Sequence, residues 1–141
     1  ALTKPRGKLM LSALLCLAST LYLEARGESF KGQLEVAAII VNRAELKQKS
    51  ICSIVREPKQ FAFKPIAARK MLRQINIASI VLLGLYRTKN THFETVGHNY
   101  LAETYGIERT ERIGNHQFFR EACYNARAVR CRNRQALASS E

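Results

Sequence analysis

Two glutamates in the segment LYLEARGESF have the chemistry and the setting for acid–base catalysis. Glu24 follows a long apolar run, so we expect a partly desolvated carboxyl group, which favours the protonated form. Cleavage of a glycosidic bond requires a protonated carboxyl group as its general acid. Glu28 is a second carboxylate that could act in catalysis, orient the loop, or pair with Arg26 or Lys31. On residue types alone, a helix-terminal glutamate pointing to water is the simpler explanation of Glu24.

The three histidines do not have the spacing of a metal site. His92, His98 and His116 are six and eighteen positions apart, which matches neither HxH nor HExxH. The chain also has no GxSxG motif, no glycine-rich phosphate loop and no Cys–His pair with a recognisable signature. We therefore expect neither a metal nor a cofactor. The histidines are expected to form hydrogen bonds beside a cleft or to lie on the surface.

The chain is strongly basic. Its 23 Lys and Arg residues against 11 acidic ones give a net charge of +12 at pH 7. Such a field attracts polyanions, namely nucleic acids, anionic lipids or acidic envelope polymers, and charge alone does not choose among them. A C-terminal helix carrying Arg127, Arg130, Arg132 and Arg134 makes a nucleic-acid-binding protein one alternative. No helix-turn-helix, finger or RNA-binding signature supports that alternative.

The four cysteines do not form a CxxC pair, so a structural zinc site is not expected. Cys16 and Cys52 have apolar neighbours, and we expect both to pack as free, small hydrophobic side chains. Cys123 and Cys131 could form a disulfide, although free buried thiols are the commoner state in a reducing compartment.

The chain has 141 residues, of which 47% are hydrophobic, and this predicts a single domain, 1–141, around one core. The apolar periodicity predicts a mainly α (α+β) fold with a small β element. The predicted elements are helices over 8–25 and 32–47, a short turn over 51–56 capped by Ser50 and ended by Pro58, a helix over 65–87 with a break near Asn76, a hairpin formed by THFET and NHQFF, and a basic amphipathic helix over 121–134.

The first apolar run allows two interpretations. Lys4, Arg6 and Lys8 precede the run over residues 9–23, which is the arrangement of a signal peptide. The run has 15 residues, whereas a helix that spans a bilayer needs about 20. Cleavage inside the run would remove the helix that leads to Glu24. We therefore interpret the run as the first, buried helix of the core.

Several motifs occur together in the order found in one protein family. They are EARGE with the following Gly-Gln and Asn-Arg (Glu24, Ala25, Arg26, Gly27, Glu28, Gly32, Gln33, Asn42, Arg43), Cys52 with Pro58, Gln60 and Phe61, His92-Phe93, and Ile113-Gly114-Asn115-His116 followed by Phe118 and Phe119. Over residues 9–119 the chain resembles the SleB-type cell-wall hydrolases, known from spore-cortex lytic enzymes and related phage and bacterial proteins. It departs from them in the late loop, which lacks their Asn-Pro and Trp.

The resemblance implies a lysozyme-like fold and an enzyme that cleaves peptidoglycan between N-acetylmuramic acid and N-acetylglucosamine. It implies Glu24 as the general acid and base of a lytic transglycosylase, with Glu28 in a catalytic or orienting role. The substrate-binding residues that it implies are Arg26, Gln33, Asn42, Phe61, His92, Asn115 and His116. A two-carboxylate muramidase, using Glu28 or Glu35 as its second acid, is the alternative mechanism. A zinc peptidase acting on wall stem peptides is an alternative of another class.

The resemblance also sets expectations about partners and location. We expect a monomer that acts on the bacterial wall, in the periplasm or outside the cell, and that contacts anionic envelope polymers through its basic surface. The small size, the positive charge and the lack of a separate wall-binding module favour a phage endolysin, which would be made in the host cytoplasm.

Overall fold

The fold is mainly helical and has one small antiparallel sheet. The computed structural model describes residues 6–58, 60–98, 100–101 and 107–121. In chain order its helices are α1 (Arg6–Ala25), α2 (Phe30–Lys47), α3 (Ile51–Val55) and α4 (Leu72–Leu82), with a 3-10 turn at Ala68–Lys70. Its strands are β1 (His92–Thr95), β2 (Glu108–Ile113) and β3 (His116–Arg120). The predicted mainly α architecture with a minor β element is confirmed.

The C-terminal half of α1 is a core helix. Leu17, Ala18 and Leu21 lie on one side of the helix at helical spacing and are completely buried. α1 packs against α2, α3 and α4, as the interpretation of residues 9–23 as a core helix requires. Near the other end of the helix, Met10 and Leu11 are exposed. Within the described ranges, no helix has the length and apolar character needed to cross a membrane.

A disulfide joins α1 to α3, and the expectation of two free thiols at these positions is wrong. Cys16 and Cys52 are bonded, with their Cα atoms 5.3 Å apart. The apolar neighbours of each cysteine do indicate burial. The pairing could not be predicted, because it depends on how α1 packs against α3. Cys123 and Cys131, the pair for which a disulfide was considered, lie outside the described residues.

Two serine caps fix the starts of α2 and α3. Ser50 accepts a hydrogen bond from the backbone of Ser53 (3.1 Å), as predicted for the start of α3. Ser29 caps α2 in the same way through Gly32 N (3.1 Å). α2 therefore begins at Phe30, two residues before the predicted start at Gly32.

The third predicted helix is shorter than expected and has no break near Asn76. It was expected from Pro65, yet α4 begins only at Leu72 and runs without interruption to Leu82. The proline signal did not start a helix because the segment from Phe61 to Ala67 is extended and packs Phe63 and Ile66 against the core. The predicted C-terminal helix over 121–134 lies outside the described residues, apart from Glu121.

The sheet has the strand order β1-β3-β2, with both pairs antiparallel. The segments THFET and NHQFF do pair, with His92 opposite Phe119 and Thr95 opposite His116. They are not a hairpin, because β2 intervenes in the chain and forms the hairpin with β3. β2 was not predicted, since its sequence ERTERI is mostly charged and resembles a solvated loop.

Candidate active site

Glu24 lies in the last turn of α1, beside the extended segment that follows α3. Its side chain is partly exposed, and Oε1 accepts a hydrogen bond from the backbone N–H of Ala62 at 2.5 Å. α1 ends at Ala25, one residue later, so the carboxyl group is held between a helix end and an extended segment. This arrangement keeps the carboxyl group accessible and restricts its orientation.

Glu28 anchors the turn between β2 and β3. Its side chain is only 9% exposed, and its two oxygens accept hydrogen bonds from the backbone N–H of Asn115 at 3.0 and 3.3 Å. Gly114, the other turn residue, has a φ of +58°, and a Cβ there would lie 2.3 Å from Oε2 of Glu28. The turn therefore requires glycine both for its backbone conformation and for space.

His116 is buried beside both glutamates. Its Nδ1 lies 3.6 Å from Oε1 of Glu28 and has no hydrogen-bond partner among the described residues. Burial lowers the pKa of His116, while the negative charges of Glu28 and Glu24 oppose this effect. The imidazole is therefore neutral near pH 7, and it lies close enough to both carboxylates for their charges to act on it.

A cluster of aromatic rings connects His116 to Phe61, the residue before Ala62. The ring of Phe93 makes an edge contact with His116 (centroids 5.2 Å apart) and stacks on Phe61 (6.2 Å). The guanidinium of Arg43 lies 4.8 Å from the centre of the Phe61 ring and donates a hydrogen bond to Oε1 of Gln60. Flat apolar faces of this kind suit the faces of sugar rings, and Arg43 adds a positive charge at their margin.

His92 lies at the same margin, partly buried. Its Nδ1 is 2.7 Å from Oγ1 of Thr91. Burial, together with the smaller effects of the positive charges of Arg43 and Lys47, lowers the pKa of His92 to about 4. His92 is therefore a neutral hydrogen-bonding group near pH 7.

Three residues expected to bind substrate have other positions. Gln33 is completely buried, donating to the backbone oxygen of Glu28 (3.0 Å) and accepting from Gln74 (3.0 Å). Asn42 donates to the backbone oxygens of Thr88 and Asn90 at 2.8 and 3.0 Å. Because Gln33 is completely buried, the direct substrate contact expected of it is corrected, whereas Asn42 is half-buried and its substrate contact stays a prediction.

Arg26 is exposed and lies against its own helix. Its guanidinium sits 4.8 Å from the centre of the Tyr22 ring and donates to the Tyr22 backbone oxygen at 3.1 Å. Phe61, His92 and His116 belong to the aromatic cluster or adjoin it, and Asn115 lies in the turn held by Glu28; their contact with substrate stays a prediction.

Glu35 forms a buried polar network on the other side of α2. It is 4% exposed and accepts hydrogen bonds from the Tyr86 hydroxyl and from Nδ2 of Asn90 (3.0 Å). Burial, followed by the hydrogen bond to Glu35, raises the pKa of Tyr86. Glu35 is therefore a packed structural carboxylate, which removes it as a source of activated water.

Two features of the site were missed in the sequence. The Ala62 N–H is a backbone group, and no side-chain pattern could indicate it. Arg43 was visible in the Asn-Arg motif but was not assigned a role, because nothing in the sequence places it against Phe61. Among the residues that the structure describes, no group of three or more His, Cys, Asp or Glu side chains is arranged to hold a metal ion.

Comparison with known proteins gives this site a family. The cell wall hydrolase family matches residues 27–119, and the chain belongs to that family. The fold matches the crystal structure of the catalytic domain of the Bacillus cereus SleB protein, with a TM-score of 0.62 and 20% sequence identity over 78% of this chain and 91% of that one. No curated protein gives a significant match. The chain therefore has the fold of that catalytic domain and is a peptidoglycan-degrading enzyme of the cell wall hydrolase family.

Proposed function

We propose that the chain is a lytic transglycosylase in which Glu24 acts as both general acid and general base. The family match begins at Gly27, so it contains Glu28 but not Glu24. One observation supports Glu24 most directly: its side chain is partly exposed and its carboxyl group is oriented by the Ala62 N–H. A group with these properties can reach a bound sugar and still hold a fixed direction.

The chemistry needs one carboxyl group in two protonation states. Glu24 donates its proton to the glycosidic oxygen between N-acetylmuramic acid and N-acetylglucosamine as the C1–O bond breaks. The resulting carboxylate accepts the proton of the muramic C6 hydroxyl while that oxygen bonds to C1. The products are a 1,6-anhydro ring and a free 4-hydroxyl group, and Glu24 is protonated again. Because the nucleophile belongs to the reacting sugar, the reaction gains from proximity.

The other two candidate carboxylates are occupied. Glu28 is buried and bound to the turn at Asn115, and Glu35 is buried between Tyr86 and Asn90. A hydrolase needs its second carboxylate about 5–5.5 Å from the acid for retention, or about 6.5–9.5 Å for inversion. The electrostatic effect of both Glu24 and Glu28 on His116 keeps a Glu24–Glu28 muramidase as the second candidate.

The test is a digest of purified wall by three variants, with products identified by mass spectrometry. Glu24→Gln should lower the rate by about 10²-fold or more, because the amide cannot donate the proton. Glu28→Gln should keep measurable activity and still release 1,6-anhydro ends. Glu45→Gln is the control, since Glu45 is an exposed residue of α2. Reducing ends alone, or a Glu28→Gln variant as inactive as Glu24→Gln, would replace the proposal with the muramidase.

The basic surface supports a further part of the proposal, which is attachment to the wall through acidic polymers. Exposed basic side chains occur on separate elements, among them Arg69, Arg73 and Arg112. Binding through them should weaken steeply as salt screens the charges.

A monomeric state and a phage endolysin role remain predictions from size and charge. Nucleic-acid binding and zinc peptidase activity gain no support from the site.

A further inference from the structure

The Cys16–Cys52 disulfide closes a ring that contains the proposed acid and its hydrogen-bond donor. α1 carries both Cys16 and Glu24, which lie about two helical turns apart. Cys52 lies in α3, and the chain that leaves α3 leads to Ala62, whose N–H donates to Glu24. The disulfide therefore closes one side of the ring, and the hydrogen bond to the acid closes the other.

The donor segment is tied to α3 next to Ala62. The guanidinium of Arg56, at the end of α3, lies 5.2 Å from the centre of the Phe63 ring, and Phe63 packs against the core. Phe63 directly follows Ala62, so the Cα atoms of the two residues are about 3.8 Å apart. A displacement of α3 relative to α1 therefore moves the donor relative to Glu24.

The position of α3 depends on contacts with other elements. It has five residues, and a helix of that length is not stable by itself. Its buried residues pack into the core, and the bond to Cys16 fixes its Cα atom at position 52 at 5.3 Å from that of Cys16. The disulfide is thus a direct covalent restraint on the distance between the helix of the acid and the helix that leads to the donor.

A small thiol can reach this disulfide. Cys52 is partly exposed, and both cysteines line a cavity of about 520 Å³. A thiolate that attacks Sγ of Cys52 breaks the sulfur–sulfur bond, and the Cys16 thiolate leaves. A second thiol of the same reductant then releases Cys52 and forms a disulfide in the reductant. The protein gains two electrons and two protons, which it holds as two thiols.

Building on the proposed function, we propose that the Cys16–Cys52 bond is a redox-sensitive positioning device for Glu24. The oxidised enzyme holds the Ala62 N–H against the acid, and a dithiol releases it. Cys16 and Cys52 are positioning residues, since they act through the segment after α3 and not on the substrate. Disulfides persist in oxidising compartments, so the acid is oriented in the periplasm or outside the cell and not in a reducing cytoplasm.

The first experiment measures kcat and KM of the oxidised and the reduced protein on soluble glycan strands. Both forms carry Cys123→Ser and Cys131→Ser, so dithiothreitol acts on a single bond. Reduction should lower kcat about tenfold and leave KM unchanged, as for the loss of one hydrogen bond to a charged group. Reoxidation should restore kcat. Near-ultraviolet circular dichroism gives the folded fraction, and kcat is expressed per folded molecule.

A second experiment shows whether the disulfide acts through the Ala62 donor. Replacing Ala62 with lactic acid removes the N–H and keeps the side chain. Reduction of this ester form should not lower kcat further, because the hydrogen bond that reduction weakens is already absent. The same replacement at Ala67 is the control, and reduction should lower its kcat about tenfold, as in the parent protein.

Two non-reducible bridges separate positioning from stability, because both keep the loop closed. Diiodomethane joins the two sulfurs of the reduced protein through one carbon, and 1,4-diiodobutane joins them through four. The one-carbon bridge should retain most of kcat and should be insensitive to dithiothreitol. The four-carbon bridge no longer restrains the separation of α1 and α3, so it should give the kcat of the reduced protein.

Three results would overturn the inference. They are an equal kcat per folded molecule in the oxidised and reduced forms, a further tenfold loss on reduction of the Ala62 ester, and full activity with the four-carbon bridge. Each would mean that the disulfide does not orient Glu24. None of them touches the proposed function, which depends on the loss of activity in oxidised Glu24→Gln. An oxidised Glu24→Gln protein with the wild-type rate would overturn both.

Discussion

The backbone N–H of Ala62 donates a hydrogen bond to Oε1 of Glu24, 38 positions earlier in the chain, at 2.5 Å. This bond joins the last turn of α1 to the extended segment that follows α3. A backbone N–H therefore orients the proposed acid. Among substitutions at position 62, proline alone removes this donor. The orientation of Glu24 consequently depends on where the segment after α3 lies.

Removal of that single donor should slow the reaction without unfolding the protein. Replacing Ala62 with lactic acid exchanges the N–H for an ester oxygen and leaves the side chain intact. We expect kcat to fall about tenfold with little change in KM, since a hydrogen bond to a charged group is worth about 1.5–3 kcal/mol. The same replacement at Ala67, further along the segment, serves as the control. An unchanged kcat at position 62 would show that the bond does not orient the acid.

Gly114→Ala should destabilise the protein through the contact with Glu28. The left-handed backbone costs about 1 kcal/mol for alanine, and the added Cβ would lie 2.3 Å from Oε2 of Glu28. Gly97→Ala is a matched control, because Gly97 has a φ of +95° and no heavy atom within 4 Å of its added Cβ. We expect urea titrations to show a loss about 1–2 kcal/mol larger at position 114 than at position 97. Equal losses would mean that the turn can move away from Glu28.

Loss of the Cys16–Cys52 bond should lower the melting temperature. The two cysteines are 36 positions apart, and closing a loop of that length stabilises the folded state by about 4 kcal/mol in the chain-entropy account. The Cys16→Ser, Cys52→Ser double variant should melt at a lower temperature than the oxidised wild-type protein. It should also be insensitive to a reductant, which should destabilise the wild-type protein. The wild-type protein could instead melt at the same temperature with and without reductant, with thiol labelling showing that the bond is reduced. That result would show that the Cys16–Cys52 bond does not stabilise the fold.

The buried histidines should make the fold less stable as the pH falls below about 6.5. Burial lowers the pKa of His92 to about 4 and also lowers the pKa of His116, so the unfolded chain binds these protons first. The contribution of the two histidines to the free energy of unfolding is therefore complete above the pKa of a histidine in the unfolded chain. It decreases as the pH falls toward 4. His92 should contribute about 1 kcal/mol between pH 7.5 and 5.5, and His116 should act in the same direction.

Urea titrations at several pH values measure this effect. His92→Gln should make the dependence shallower, whereas His98→Gln should not, because His98 is exposed. If the free energy of unfolding of His92→Gln depends on pH as steeply as that of the wild-type protein, groups other than His92 cause the effect.

Local patterns were enough to predict the helices that carry the site. The apolar run before Glu24 and the Ser50 cap are signals contained within one or two helical turns, and both correspond to observed elements. The EARGE motif, with Glu28, and the Ile-Gly-Asn-His motif, with Asn115, do meet in the structure. The motifs thus indicated which segments form the site, although not how they contact one another.

The features that could not be predicted all depend on tertiary contacts. The Cys16–Cys52 pairing, the extended segment after α3 and the burial of Gln33 each follow from the packing of elements distant in sequence. β2 was missed because its side chains are mostly charged; it is an edge strand held by pairing with β3. For Gln33, a polar residue in a shared motif suggested substrate contact, and complete burial gives it a supporting position.

The central position of β3 in the sheet determines when the enzyme can first become active during synthesis. β3 pairs with both other strands, and the neighbouring Asn115 meets Glu28 from 87 positions away. A nascent chain that ends before β3 can form α1, α2 and α4, but it has neither the His116 wall nor the turn that holds Glu28. Helices form from local contacts before such distant pairings are made. A polypeptide that ends before β3 therefore lacks part of the site, and activity requires synthesis through β3.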